Sequence, residues 1–404
     1  MNTEHQKVIQ IPHTKIDVIG DVHGEIDVLN HLLDQLGYSQ DGIHDDNRHL
    51  VFVGDLMDRG WNSWAVYEKV SKMVKAGHAH CVLGNHELNL LIPAGNNPRI
   101  PKMKGGNNWF HGAIELVDAQ DPTSIQPQYL LTDDEQRIEI QDFCASLPIA
   151  IEAPGIRIIH ACWDSETIEK IRHDTRPLMT VYQDYEKQYT EWFHRERLKY
   201  PELKDCKTTT EIKNSIKPPK SDGSQTIKQL NIHPLYQESN DREQNGNPIK
   251  KLTSGPESAL HPDEHPYMAS KKLRYFKRDP WWDTYTEDPL VIIGHYWRRA
   301  RPKPFVEFQD LTSEEEQNIP PIFPNEIEGN TYHQMLGCRN NVMCVDYAVG
   351  KRFLERHHGL ASNSTGAMLG ALRCDIHLDE HIIDTKLFLS DGRCFPNVKI
   401  PLAK

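Results

Sequence analysis

Long apolar runs are missing from this 404-residue sequence. No stretch approaches the roughly 18 consecutive apolar residues that a membrane-spanning helix needs. The first residues, Met1–Lys7, also lack the apolar segment of a secretory signal. These absences argue against membrane and secreted proteins, and we expect a cytoplasmic protein that does not contact a membrane.

Paired cysteine motifs are also missing. The eight cysteines show no C-x-x-C pair and no regular spacing. A disulfide framework is uncommon in a chain of this length, so we expect free thiols.

Basic residues are in the minority, because 46 Lys and Arg stand against 58 Asp and Glu and give a net charge of −12. Affinity for nucleic acids rests largely on basic side chains that neutralise phosphates. The charge therefore disfavours a nucleic-acid partner and, with it, a role in nucleic-acid end repair. A local positive site or bound metal cations remain compatible with it. The sequence leaves the oligomeric state open.

Alternating strand and helix signals fill the first 90 residues. Apolar runs at 15–19, 50–53 and 81–83 each end at a glycine, and amphipathic helical patterns at 25–36 and 64–74 separate them. This order predicts a βαβαβ unit with parallel strands and right-handed crossovers. Further on, residues 149–159 have the turn chemistry of a β-hairpin, and strands are predicted at 290–293, 341–345 and 386–389.

The chain is longer than the ~250–300 residues that one hydrophobic core usually organises. The pattern predicts an α/β catalytic core in two parts, residues 1–164 and 289–404, around an insertion at 165–288 that caps the site. Two stretches of the insertion, 203–224 and 237–249, are polar and rich in Pro, Gly, Ser and Asn. This composition predicts loops there.

Polar clusters follow the first three strands, and they read GDVHG at 20–24, GDLMDRG at 54–60 and GNHE at 84–87. Ligands bind beyond the carboxyl ends of the strands in open α/β sheets, so these side chains should meet. Two later strands end in His160 and His295. Aspartate, asparagine and histidine without thiolates favour a catalytic site for Mn, Fe or Zn.

As an ordered set, these motifs resemble the calcineurin-like metallophosphoesterases, in particular the bacterial and phage members of the phosphoprotein-phosphatase branch, which is related to the diadenosine tetraphosphatases. The resemblance spans residues 20–295, and the insertion contributes little to it. It implies an α/β sandwich of two mixed sheets flanked by helices. It also implies a metal-dependent phosphatase that acts on a phosphorylated substrate, of unknown identity, through two divalent cations. Manganese is our first expectation, with iron or zinc as alternatives.

The resemblance also implies a role for each site residue. Asp21 and His23 would bind the first metal, Asp55 would bridge both metals, and the remaining ligands of the second metal would be Asn85, His160 and His295. Arg59 would bind phosphate oxygens, and His86, oriented by Asp58, would be the general acid. Water activated by the metals would attack phosphorus directly, and Glu87 would support the ligands.

General chemistry supports these roles. Phosphoryl transfer needs neutralised oxygens, an in-line nucleophile and a protonated leaving group. Two metals supply the first two, a guanidinium matches phosphate geometry, and a histidine titrates near neutrality and can protonate the leaving oxygen.

Simpler interpretations exist for single residues. Asp21 and Asp55 could be helix N-caps, Asp58 and Arg59 could form a surface ion pair, and Asn85 could occupy a left-handed turn.

Residues outside the motifs receive structural predictions. The tryptophans at 163, 281, 282 and 297 are expected in the core or the pocket wall. The histidines at 111, 357 and 358 are not expected to be ligands. The basic residues Arg274, Lys277, Arg278 and those of the string at 296–301, including Arg298, Arg299 and Arg301, are expected on a solvated face. Asp346 follows another strand and is left without a role.

Two other functions remain open. One is symmetrical hydrolysis of dinucleoside tetraphosphates, although such enzymes tend to read GDLVARG and GNHD where this chain has Asp58 and Glu87. The other is an inactive scaffold on the same fold, against which all six candidate ligands are present. Leu88-Asn89-Leu90 lacks the arginine that follows GNHE in eukaryotic protein phosphatases, which argues against a role like theirs.

Overall fold

The computed structural model describes residues 6–402 except 96, 98, 105, 113–128, 218–231, 262, 263, 265, 266, 270, 271, 299, 301–331, 363 and 397. The first half contains strands β1 Val8–Gln10, β2 Lys15–Ile19, β3 His49–Phe52, β4 Ala79–Cys81, β5 Ala150–Ala153 and β6 Ile156–Ile159. Its helices are α1 Ile26–Leu36, α2 Ser63–Lys75, α3 Asn85–Leu91, α4 Asn108–His111 and α5 Asp134–Ser146.

The second half continues with helices α6 Ser165–His173, α7 Leu178–Glu196, α8 Thr209–Ile216, α9 Pro234–Asn240, α10 Pro248–Ser254 and α11 Arg352–His357. Its strands are β7 Glu257–Ala259, β8 Tyr267–Ala269, β9 Lys272–Arg274, β10 Phe276–Arg278, β11 Leu290–Ile293, β12 Val342–Cys344, β13 Asp346–Tyr347, β14 Met368–His377, β15 Ile382–Leu389 and β16 Val398–Pro401. Within the described part of the chain, no helix is both long enough and apolar enough to cross a membrane.

Two mixed sheets form the centre of the molecule. One has the strand order β1-β5-β6-β11-β12, and the other has the order β16-β15-β14-β2-β3-β4, with β13 paired to β14. Strands β2, β3 and β4 are parallel, as the sequence predicts, and β5 and β6 form the predicted antiparallel hairpin. The predicted α/β sandwich is therefore confirmed.

Apolar side chains of both sheets meet in one buried layer. Ile16 and Val18 of β2 pack there with Ile158 of β6 and Ile292 of β11. The outer faces pack against helices, which bury their apolar faces. Helix α1, for example, buries Leu29, Leu32, Leu33 and Leu36.

The two stretches predicted as loops contain helices, so that prediction was wrong. Thr208 caps α8 and forms a capping box with Glu211, and Asn247 caps α10, which has Pro248 in its first turn. Proline is tolerated there because the first N–H groups of a helix have no intrahelical partner. Residues 218–224, the rest of the first stretch, lie outside the described residues.

Part of the predicted insertion packs on the main core. Ile168 and Tyr182 belong to a large apolar cluster that also contains Leu29 of α1 and Val291 of β11. Phe193 and Leu235 belong to a separate, smaller cluster. The boundaries at 164 and 289 stay a prediction. All eight cysteines are free thiols, as expected.

Candidate metal centre

The predicted ligands converge where the carboxyl ends of both sheets meet. Asp21, Asp55 and Asn85 follow the parallel strands β2, β3 and β4. His160 and His295 follow β6 and β11, which are parallel neighbours in the other sheet. Parallel strands end at the same edge, so the topology places all these residues on one side of the sandwich.

Asp55 lies between two groups of histidines. Its Oδ2 is 3.8 Å from Nε2 of His23 and 3.8 Å from Nε2 of His86. Its Oδ1 is 3.4 Å from Nε2 of His160. The donor atoms of Asp55, His23 and His86 all lie within 4.8 Å of one another, as do those of Asp55, His160 and His295. One carboxylate thus belongs to two clusters that could each hold a metal ion.

Asn85 completes the second cluster. Its Oδ1 lies 3.1 Å from Nε2 of His160 and 2.8 Å from Nδ1 of His295. Nε2 of His295 is buried and has no hydrogen-bond partner among the described residues. An amide oxygen and two imidazoles are therefore grouped with Asp55 Oδ1.

Backbone carbonyls fix the tautomers of two of these histidines. Nδ1 of His23 donates to the Met57 carbonyl at 3.0 Å, and Nδ1 of His160 donates to the Val53 carbonyl at 2.7 Å. A carbonyl can only accept, so Nδ1 carries a proton and Nε2 is the nitrogen left to bind a metal. Both Nε2 atoms point toward Asp55. Burial lowers the pKa of His23 well below its usual value, whereas for His160 the effect of burial is outweighed by the charge of Asp55, which raises the pKa.

Asp21 adds a second carboxylate beside the first cluster. Both of its oxygens accept from the His295 backbone N–H at 3.2 Å, and Oδ2 lies 3.9 Å from Nε2 of His23. Gly294 makes this approach possible, because a Cβ at that position would overlap Asp21 Oδ1. The glycine before His295 is thus required by the close packing of the two sheets.

Arg59 and Asp58 both contact His86, a member of the first cluster. Nδ1 of His86 lies 2.6 Å from Oδ2 of Asp58, whose Oδ1 accepts from Nε1 of Trp109 at 2.7 Å. The two terminal nitrogens of Arg59 donate to Nε2 of His23 and of His86, each at 2.9 Å. The guanidinium also stacks on Trp297, with Cζ 5.1 Å from the ring centroid.

Several of these residues have a left-handed backbone, which costs free energy for a residue with a Cβ. The residues concerned are His23 (φ 46°), Asp55 (φ 49°), Asp58 (φ 73°), Arg59 (φ 69°) and His295 (φ 65°). Strain of this kind concentrates at functional sites, where the surrounding fold maintains it.

Several buried carboxylates lie close together at the centre, and their negative charges repel one another. Burial, and then the charges of Asp346 and Asp55, raise the pKa of Asp21 well above its usual value. Burial also raises the pKa of Asp55, but the neighbouring His160 and His86 outweigh it and hold that pKa well below its usual range. Divalent cations would offset this charge, and the mixed oxygen and imidazole donors fit such cations.

Glu87 and Asp346 lie behind the predicted ligands. The Glu87 carboxylate accepts hydrogen bonds from the backbone N–H groups of Asp55 and Leu56 at 2.8 and 2.9 Å, so it holds the strained turn that carries Asp55. Burial and the charge of Asp55 raise the pKa of Glu87 to about 7. Asp346 is fully buried, and its Oδ1 accepts from the Ala348 N–H at 2.8 Å.

The prediction that the basic string after His295 lies on a solvated face was wrong in part. Tyr296 and Arg298 are almost wholly buried, because Arg298 packs under β12 and donates to the Gln334 carbonyl at 2.8 Å. Arg278 is exposed, but its guanidinium donates to the His295 carbonyl at 3.4 Å. Arg299, Arg301 and the side chain of His357 lie outside the described residues.

Tryptophans divide between core and site. Those at 163, 281 and 282 are buried, as predicted, whereas Trp297 lies half-exposed against Arg59. Trp109, which bonds to Asp58, was not predicted as a site residue, since nothing in its local sequence marks it. His111 and His358 join neither histidine cluster described above.

The two mixed sheets bring together buried oxygen and imidazole donors of the kind that can hold divalent metal ions. The family model described as calcineurin-like phosphoesterase matches residues 14–296. The chain therefore belongs to the calcineurin-like phosphoesterase family, whose members typically use two metal ions.

Curated relatives match a short part of the chain. The bis(5'-nucleosyl)-tetraphosphatase PrpE (asymmetrical) of Halalkalibacterium halodurans is 52% identical over 77 residues, which are 18% of this chain and 30% of that protein. The enzyme of the same name from Bacillus velezensis is 34% identical over 117 residues, or 28% of this chain and 46% of that protein. The chain thus spans less than half the length of either relative.

Solved structures resemble the whole chain only distantly. A protein serine/threonine phosphatase from Saccharomyces cerevisiae has a TM-score of 0.42 at 12% identity and covers 99% of this chain and 87% of its own. A cold-active protein-tyrosine phosphatase from a Shewanella species has a TM-score of 0.37 at 14% identity, with 100% and 85% covered. The fold assignment rests on the family match and the strand order.

Proposed function

We propose that this protein is a phosphatase that hydrolyses phosphate monoesters with two divalent metal ions. The observation behind the proposal is the position of Asp55, whose two carboxylate oxygens face two separate groups of histidines. A carboxylate in this position can bridge two cations, which is the arrangement that two-metal phosphoester hydrolysis needs.

The donor atoms divide into two sets. Asp21, His23 and Asp55 would hold the first cation, and the second would be held by Asp55 together with Asn85, His160 and His295. Bound cations would neutralise phosphoryl oxygens and lower the pKa of water. We propose manganese, because carboxylate, amide and imidazole donors suit it and because no cysteine belongs to either cluster among the described residues.

Arg59 would bind the phosphoryl group. Its guanidinium lies between the imidazoles of His23 and His86. Its permanent positive charge therefore lies next to the donor atoms proposed for the first cation. A guanidinium can donate two parallel hydrogen bonds to phosphate oxygens.

His86 would protonate the leaving oxygen. Its Nδ1 faces Asp58 at 2.6 Å, so Nε2 is the nitrogen that faces the site. Nε2 now accepts from Arg59, so it would take up a proton once Arg59 turns to phosphate, and that proton can pass to the alcohol oxygen as the P–O bond breaks. Asp58 would fix the ring in that orientation, and Trp109 would fix Asp58.

A second candidate is the cleavage of dinucleoside tetraphosphates, which the names of the PrpE relatives favour. The relatives' names specify asymmetrical cleavage, which differs from the symmetrical reaction left open by the sequence. The products separate the candidates, because asymmetrical cleavage of diadenosine tetraphosphate yields ATP and AMP, whereas symmetrical cleavage yields ADP alone.

The experiment compares substrates with manganese present. We expect phosphate release from p-nitrophenyl phosphate and from a phosphopeptide. His86→Gln should lose the phosphopeptide activity most strongly, and His31→Gln, whose side chain is exposed on α1, should retain both activities. Cleavage of diadenosine tetraphosphate without monoesterase activity would instead favour the second candidate. A protein that hydrolyses none of these and takes up no metal would be the inactive scaffold.

A further inference from the structure

Three histidines meet at the edge of the sandwich opposite the metal centre. His13 precedes β2, His49 begins β3 and His80 lies in β4. Asp21, Asp55 and Asn85 follow the carboxyl ends of these same three strands, whereas His13 and His49 lie at their amino ends. The histidine group is therefore separate from the site described above.

The three imidazoles are in direct contact. The rings of His13 and His49 stack with centroids 3.9 Å apart and planes 7° apart, and the rings of His49 and His80 are 4.7 Å apart. One ring nitrogen from each histidine lies within 4.8 Å of the other two. A zinc ion held by all three at about 2.0–2.1 Å would need these nitrogens about 3.3 Å apart, so the stacked rings would have to rotate toward one another.

Strand register explains why the rings meet. His49 pairs with Ile16 of β2, and His80 pairs with Val51 of β3. Paired residues of parallel strands share a face, and both partners belong to the apolar layer between the sheets. The imidazoles therefore cover one end of that layer, with His13 stacked over them.

The central histidine has an unused nitrogen. His49 is 6% exposed, and its Nε2 is buried without a hydrogen-bond partner among the described residues. A buried polar atom without a partner costs free energy, which a bound cation would remove. His13 and His80 are only partly buried, so a cation can reach the group from solvent.

Imidazole donors alone select a narrow class of ligand. The group contains no carboxylate, so it suits zinc or copper better than magnesium, calcium or manganese. Burial, and then the charges of His13 and His80, lower the pKa of His49 to about 3, and burial lowers the pKa of His13 and of His80. The rings are therefore neutral near pH 7, the form that binds metal.

We propose that His13, His49 and His80 bind one zinc ion, with a fourth position open to water or a small anion. The site would tie together the amino ends of β2, β3 and β4, and it would do so independently of the catalytic centre. A purely structural histidine stack is the alternative, and it would bind no cation.

The test is the zinc content of the full-length protein. Wild type and the double variant His13→Gln/His80→Gln are stripped with chelator, equilibrated with micromolar free zinc and measured by mass spectrometry of the metal. We expect the wild type to hold about one more zinc per chain than the double variant, because the catalytic ligands are the same in both. His31→Gln, an exposed histidine on α1, should match the wild type.

Equal zinc content in the wild type and a folded double variant would overturn the proposal. Folding is checked by circular dichroism and by manganese-dependent phosphate release, which should be unchanged. If the double variant does not fold, the single variants His13→Gln and His80→Gln serve, and each should need a higher free zinc concentration to fill the site. An unchanged zinc titration in both folded single variants would also overturn the proposal.

Discussion

Nδ1 of His86 lies 2.6 Å from Oδ2 of Asp58, and both side chains are buried beside the shared carboxylate of Asp55. This pair fixes which imidazole nitrogen faces the site. A surface ion pair of Asp58 with Arg59, the simpler interpretation of the sequence, is not what the structure shows, because the carboxylate bonds to His86 and Trp109.

The replacement His86→Gln should lower kcat by about 10²–10⁴-fold, which is the usual contribution of a general acid. The loss should be larger for a phosphoserine peptide than for p-nitrophenyl phosphate, because nitrophenolate leaves without needing a proton. Steady-state kinetics with both substrates measure this difference. Equal losses on both substrates would contradict the role as general acid.

The replacement Asp58→Asn should lower kcat by roughly 10-fold or more while KM changes little, since in the proposed mechanism Asp58 would position His86 without touching substrate. Trp109→Phe, which removes the hydrogen bond to the other oxygen of Asp58, should have a smaller effect in the same direction. The pH profile of kcat should change in Asp58→Asn. A variant with a wild-type pH profile would show that the pair is only structural.

The replacement Gly294→Ala should weaken metal binding, because the new Cβ overlaps Asp21 Oδ1 and forces the carboxylate away. Gly95→Ala is a matched control, since a Cβ at Gly95 meets no heavy atom within 4 Å. The manganese concentration for half-maximal activity should rise in Gly294→Ala alone. The same value in both variants would argue against the close approach of β11 to Asp21.

Acid should destabilise the metal-free protein through His49. Its pKa in the folded state is lowered to about 3 by burial and by its histidine neighbours. As the pH falls, His49 therefore binds a proton in the unfolded chain before it does so in the folded protein. Stability is therefore complete above the unfolded pKa near 6.5 and is lost as pH falls toward 3. In the presence of chelator and below pH 6.5, the free energy of unfolding should fall less steeply with pH in His49→Val than in the wild type. The two slopes should differ by up to about 1.4 kcal/mol per pH unit. Urea unfolding measures this, and identical slopes would contradict it.

Much of the fold and the site could be predicted because strand ends are marked in the sequence. Asp21, Asp55 and Asn85 each follow an apolar run and a glycine, and parallel strands then bring them together. Their convergence with His160 and His295 is therefore a consequence of topology. Their roles as metal ligands stay a prediction.

The rest depends on contacts between distant segments. Trp109 reaches Asp58 across 51 residues, and no periodicity marks such a contact. Helices α8 and α10 were missed because their segments are polar and were interpreted as loops, although Thr208 and Asn247 are residues that commonly cap helices. Strand β14, at the centre of its sheet, was also missed.

The shared carboxylate can be tested most directly by counting metal in Asp55→Ala. Wild-type protein reconstituted with manganese should hold about two ions per chain and release phosphate from p-nitrophenyl phosphate. Asp41→Ala, an exposed control, should do the same. We predict that Asp55→Ala binds less than half as much manganese and loses at least about 10³-fold in kcat/KM, and a folded Asp55→Ala with wild-type metal content and turnover would contradict the account.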